Sequence, residues 1–321
     1  MRQPGVVAYT LTLLQKHEET ASLPRQYLTL IDYSGSKPET QMARHAYRLV
    51  NVFTQGDSPF TGNPLCVFEN GDSLDTGRMQ ALALQFNLSE TTFILSSQRA
   101  SARVRIFTPR YEMPFAGHPT LGTAHVCRAL GLAADTLTLE MPAGIIPVQA
   151  TGRRWTLQAN APGWREVQEA PSELAHMLGV AEHEISERPL WVNTGTEQLI
   201  VPLISEAAVR RATLRADAVS HFKNASGAGM AYVFAHAGEG LIARFFFQQG
   251  AAVLEDPATG SATANLGGWY LAMGRPLPAD FEISQGEYAG RASTLYLRVD
   301  AERRIQVSGD VLELGAGVIT L

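Results

Sequence analysis

The sequence predicts an α+β chain, rich in short strands and built from two related halves. Three observations carry that expectation. Short runs of alternating or continuous apolar residues outnumber helical patterns along the chain. A stretch near residue 104 recurs 138 residues later with the same skeleton. No G-x-G-x-x-G, Walker A, G-x-S-x-G or H-E-x-x-H sequence marks a nucleotide fold, a hydrolase elbow or a zinc protease.

Residues 1–45 are polar and aperiodic, and read as a loose extension or as a stretch ahead of a true start at Met42. Regular structure is expected from about Tyr47. "YRLVNVFT" reads as a strand, "QGDSPFTGN" as a turn-rich loop and "PLCVFE" as a strand. "DTGRMQALALQFN" is an amphipathic helix with Leu82 and Phe86 on one face, closed by Asn87 in the left-handed conformation. "ETTFIL" and "ARVRIFTP" follow as strands, then a helix over "HPTLGTAHVCRALGL". "TLTLEMPAGIIPVQ" and "RWTLQA" are strands, and "SELAHMLGV" is a helix with Ser172 as its cap. The same rhythm returns in "LWVNTG", "QLIVPLI", "MAYVFAH" and "LIARFFF". A helix follows from Pro257, and "TLYLRVD", "RIQVSGD" and "LELGAGVITL" end the chain.

The repeat lays "VRIFTPRYEMPFAGHPTLGTA" (104–124) on "IARFFFQQGAAVLEDPATGSA" (242–262) without a gap. Phe107, Pro119, Gly122 and Ala124 fall on Phe245, Pro257, Gly260 and Ala262, while His118 falls on Asp256. The boundary between halves is expected near residues 158–172. Proline suits the first position of a helix, so His118 and Asp256 are expected as caps. The small residues that follow leave first-turn amides open, which with the helix dipole favours an anion. If the halves face each other, two helix starts converge on one cleft suited to a small carboxylate. Both helices are apolar or small on most faces and should be buried.

The residues leave some roles open. Asp256 reads as a plain cap or as a site residue; His118, a poor cap, reads less easily as structure alone. Glu90 is either an exposed glutamate at a strand end or a buried carboxyl with a raised pKa, suited to take and return a proton. Asn63 is a turn residue or a cleft residue.

Net charge is -5 with no basic stripe, which argues against nucleic acid and acidic membranes as partners. No apolar run is long enough for a membrane span, and no cleavage site follows "VVAYTLTLL". The two cysteines, Cys66 and Cys127, form no metal motif or disulfide framework. The cytoplasm is the expected location, and no metal is expected.

Together, "FTGNPLCVF", "NLSETTFIL", "FTPRYEMPFAGHPTLGTA", "EDPATGSA", "QGEYAGR" and "VSGDVLELGAGVITL" resemble the phenazine-biosynthesis PhzF-like isomerase family over about residues 46–321. The resemblance implies a diaminopimelate-epimerase-like fold, each half a curled, mostly antiparallel sheet around a central helix. It also implies that the last strands return to the first half. The expected halves are then 46–160 with about 303–321, and 161–302. By motif it assigns Glu90, His118 and Asp256 to catalysis, and Ser261 with the amides around Gly260 to the substrate's carboxylate; Gly117 and Asn63 are further substrate-binding candidates. It implies cofactor-independent acid–base proton transfer on a small carboxylated metabolite, a cyclic dihydro-hydroxyanthranilate in the phenazine enzyme, and a homodimer. The epimerase relatives place a cysteine at each helix start; here those positions are His118 and Asp256, so a two-thiol racemase is not expected. A non-catalytic binder and a cysteine-independent racemase or epimerase remain the alternatives.

Overall fold

A computed structural model describes residues 42–321. Of the expected extension over residues 1–45, residues 1–41 lie outside the described residues, while Arg44 and His45 already belong to a strand. Strand β1 (Arg44–Val52) begins ahead of the expected onset at Tyr47. The cause is long-range: its first residues pair with the end of the chain, Arg44 opposite Thr320, and Ala43 N–H donates to Leu321 O at 2.8 Å.

Sheet dominates, with 17 strands against five α-helices among the described residues. β1 pairs antiparallel with β2 (Asn63–Phe68). Helix α1 (Thr76–Phe86) starts where the Asp75 carboxylate accepts from Arg78 N–H at 2.8 Å. It stops at Asn87, whose φ of 51° is the left-handed C-cap that its residue type favours. β3 (Glu90–Leu95) runs parallel to β2, and β4 (Ala102–Phe107) antiparallel to β3. A two-residue strand β5 (Glu112–Met113) precedes helix α2 (Gly117–Ala129). The run "TLTLEMPAGIIPVQ" divides into β6 (Thr136–Met141) and β7 (Gly144–Thr151), followed by β8 (Arg154–Gln158).

The second stretch contains β9 (Gly163–Glu166), α3 (Pro171–Leu178), β10 (Leu190–Asn193), β11 (Glu197–Pro202) and α4 (Glu206–Arg211). It continues through β12 (Met230–Ala237), β13 (Gly240–Gln249), β14 (Ala252–Asp256), α5 (Gly260–Ala272), β15 (Ala279–Gln285) and β16 (Ser293–Val299). Its pairings run β9–β10–β11–β12–β13–β15–β16, with β14 folded back on β13. The last strand, β17 (Ile305–Thr320), pairs with β16, then with β8, then with β1. The pairings β1–β2–β3–β4–β6–β7–β8–β17–β1 therefore close into a ring of eight strands.

α2 packs against β1, β2, β3 and β8 of this ring, and α5 packs against β10, β11, β16 and β17. Close approach explains a glycine of the repeat. A Cβ on Gly122 would stand 2.6 Å from Leu65 Cδ2 and 2.9 Å from Val52 Cγ2, so only glycine lets α2 lie this near β1 and β2.

Three expected helix starts are corrected. His118 does not cap α2; Ala116 does, without a side-chain hydrogen bond, and His118 lies inside the first turn. Asp256 does not cap α5; Thr259 precedes that helix, and Asp256 ends β14 opposite Phe245. Strand pairing holds Asp256 extended, so Pro257 joins strand to helix rather than opening the helix. Ser172 is not the cap of α3, which begins at Pro171 after Ala170. There Glu173 reaches back to accept from Ala170 N–H at 3.0 Å, and proline fits the first helical position.

Candidate active site

The parallel pairing of β2 and β3 sets Leu65 beside Glu90, so Asn63 and Glu90 sit at the starting ends of neighbouring strands. Glu90 begins β3 directly after the turn that ends α1, and its side chain is 16% exposed. Facing it is His118 from the first turn of α2, buried, with Nε2 3.3 Å from Glu90 Oε2. The two atoms touch without hydrogen-bond alignment, and both lack any other partner.

The starts of α2 and α5 meet backbone to backbone. A Cβ on Gly117 would stand 3.5 Å from Gly260 Cα and from Ser261 N. Asp256 lies just upstream of α5. Its Oδ1 accepts from Asn63 Nδ2 at 2.9 Å, and its Oδ2 accepts from Thr259 Oγ1 at 2.5 Å. Asn63 Nδ2 also donates to Ala258 O at 3.0 Å, so the asparagine ties β2 to the segment entering α5. Its own Oδ1 is buried and unpartnered. Gln285, from β15, donates through Nε2 to Asp256 O at 2.9 Å and to Thr259 Oγ1 at 3.0 Å. Ser261 Oγ accepts from Gln198 Nε2 at 3.0 Å.

Three titratable groups thus share a site but differ in environment. Burial pushes the Glu90 carboxyl up to about 8, and the nearby Asp256 charge adds to it. Burial raises Asp256 to about 6, less far because the Thr259 and Asn63 donors favour its ionised form. Burial pushes the His118 imidazole down to about 3. Near pH 7 Glu90 keeps its proton, His118 is neutral and Asp256 is ionised. Environments that separate two carboxyl groups in this way suit one to exchange protons and the other to stay charged.

All seven residues singled out from sequence lie on these elements. Glu90 meets His118; Asn63 meets Asp256; Gly117 meets Gly260 and Ser261. Thr259, Gln285, Gln198 and Asn265 were not singled out. Thr259 lies within "DPATGSA" and Gln285 opens "QGEYAGR", but a single sequence gives no contact between the two stretches. Cys66 and Cys127 are buried away from both helix starts, on β2 and within α2. A cavity of about 500 Å³ is lined by Gln285 with Arg210, Arg244, Glu287 and Tyr288; neither Glu90 nor His118 lines it.

The fold has solved relatives. A PhzF family protein from Bacillus anthracis superposes with a TM-score of 0.76 at 25% identity, covering 87% of this chain and all 100% of its own. The class is therefore a PhzF-like, sheet-rich fold carrying a carboxyl–imidazole site. The family model for phenazine biosynthesis-like proteins, PhzC-PhzF, matches residues 50–317, and the chain belongs to that family. Its relatives include proteins named as isomerases, and isomerase is its enzyme class. The trans-2,3-dihydro-3-hydroxyanthranilate isomerase of Pseudomonas aeruginosa is 37% identical over 281 residues, 83% of this chain and 96% of that protein. An uncharacterized isomerase of Pasteurella multocida is 37% identical over 277 residues, 85% of this chain and 93% of its own. No helix among the described residues is long and apolar enough to cross a membrane.

Proposed function

We propose that this isomerase moves a proton between two carbons of a small carboxylated ring, a dihydro-hydroxyanthranilate-like metabolite, by general acid–base catalysis at Glu90. The observation that carries this is the Glu90–His118 contact at 3.3 Å beside the abutting starts of α2 and α5. A carboxyl raised to about 8 is a stronger base when ionised than an ordinary glutamate. Glu90 takes the proton from one ring carbon, neutral His118 keeps the resulting acid oriented, and Glu90 returns the proton to another position. No proton is gained or lost in the cycle. Asp256, fixed by Asn63 and Thr259, stays ionised and orients the substrate's polar groups. The Ser261 hydroxyl and the free amides around Gly260 receive the carboxylate, helped by the α5 dipole. The unpartnered Asn63 Oδ1 is a ready acceptor for a substrate donor.

The same reading treats the chain as two related halves, one around α2 and one around α5. The internal repeat and the pairing of β17 with both β16 and β1 support it.

The test is turnover of trans-2,3-dihydro-3-hydroxyanthranilate in deuterated water. The expected outcome is isomer formation with deuterium at the new carbon position, and Glu90→Gln should lower turnover by about 10²–10⁴-fold. Turnover close to wild type in that variant removes Glu90 from the mechanism.

A further inference from the structure

Asn265, one turn into α5, is fully buried and bonded at every valence. Its Oδ1 accepts from the Thr194 amide and from the Thr194 hydroxyl, each at 2.8 Å. Its Nδ2 donates to Thr196 O at 2.8 Å and to Gln198 Oε1 at 2.7 Å. The Thr194 amide can only donate and the Thr196 carbonyl can only accept. Backbone groups therefore fix which end of the Asn265 amide is oxygen.

That setting passes to the next residue. Gln198, itself buried, presents Oε1 to Asn265 and so must present Nε2 to Ser261. A serine hydroxyl carries one proton. With Gln198 donating into its oxygen, Ser261 cannot point that proton back at Gln198, and no other acceptor within the described residues takes it. The proton is left for whatever lies at the start of α5.

We propose that Gln198 and Asn265 are positioning residues that hold Ser261 as a hydrogen-bond donor toward the ligand, and so make the site select a carboxylate. This rests on the placement of the substrate's carboxylate at Ser261 and the first turn of α5. A merely structural relay would tie the 194–196 turn to α5 but would leave ligand selectivity unchanged.

Anthranilate and its uncharged amide, 2-aminobenzamide, are titrated calorimetrically into the full-length protein and its variants. In Gln198→Glu the new carboxylate accepts the Ser261 proton and adds negative charge behind it. Anthranilate affinity should fall about tenfold or more, and 2-aminobenzamide affinity only about two- to threefold, because its carbonyl loses the same donor but meets no charge repulsion. Gln198→Met removes the donor but leaves the hydroxyl its proton. It should lower the anthranilate-to-amide affinity ratio by about two- to threefold and lower the Tm, because Asn265 Nδ2 loses a partner. Should Gln198→Glu not fold, the ratio in Gln198→Met decides. An unchanged ratio in the folded variants overturns the relay while leaving carboxylate binding intact. Failure of the wild-type protein to bind anthranilate at millimolar concentration overturns both.

Discussion

Replacing Glu90 by glutamine should stabilise the protein, and increasingly so as pH rises. Native Glu90 titrates near 8 rather than at its ordinary 4.5, because burial and the Asp256 charge disfavour the ionised form. The native state therefore binds this proton more tightly than the unfolded chain does. Its stabilising effect is complete below about pH 4.5 and is lost as pH climbs through 8. Each pKa unit is worth about 1.4 kcal/mol, so the full shift sets a ceiling of about 5 kcal/mol. The carboxyl keeps 16% of its exposure and lies against His118, so a few kcal/mol is the expected scale. Glutamine is neutral at every pH and nearly isosteric. Urea unfolding of wild type and Glu90→Gln should agree within about 1 kcal/mol at pH 5 and differ by about 2–4 kcal/mol at pH 9, the variant being more stable. His118, pushed down to about 3, costs stability as pH falls below its ordinary range, but it does so in both proteins. A stability difference that is the same at pH 5 and pH 9 would mean that Glu90 titrates as an ordinary glutamate, and the proton-transfer role would lose its basis.

The pH profile of wild-type kcat/KM should rise about tenfold per unit up to about pH 8 as Glu90 ionises. It should steepen toward about a hundredfold per unit below 6, where Asp256 also takes a proton; a profile flat from pH 6 to 8 contradicts it. Asn63→Asp sets a second carboxylate against Asp256 Oδ1, 2.9 Å from where the amide donates now, so the two should share a proton. The steep limb should then move above pH 6, which steady-state kinetics would show. Gly122→Ala should lower stability by about 1–3 kcal/mol in urea melts, since its methyl would stand 2.6 Å from Leu65. Gly117→Ala has only ordinary 3.5 Å contacts at Gly260 and Ser261, so its effect should appear in KM before it appears in Tm.

Much of the fold is legible because local signals and tertiary context agree. Asp75 and Asn87 bracket α1 by their side-chain and backbone preferences, and strands such as "ETTFIL" and "LWVN" sit where alternation or apolar runs put them. What escaped depends on distant partners. β1 extends back to Arg44 only because β17 returns beside it. β14 is extended because β13 pairs with it, although its sequence, "AVLED", precedes a proline that locally looks like a helix start. β15 and α4, over "ADFEISQ" and "EAAVRR", carry too few apolar residues in register to stand out.

The site shows the same division more sharply. The repeat aligns His118 with Asp256, and both do reach one site, yet they arrive by different routes. His118 is carried inside the first turn of a helix, while Asp256 ends a strand four residues before its helix begins at Gly260. Sequence equivalence therefore did not preserve local geometry. It preserved position: in each copy the residue before the proline is delivered to the seam where α2 and α5 touch. That difference has a chemical consequence. His118, within a buried turn, is cut off from water that would support a positive charge, and stays neutral. Asp256, on an extended end, leaves both oxygens free to meet Asn63 and Thr259, which lets a carboxylate stay ionised in the same enclosed space. With one partner neutral and the other charged, the proposed mechanism leaves the moving proton to Glu90, the carboxyl of the site with a buried oxygen that no donor meets.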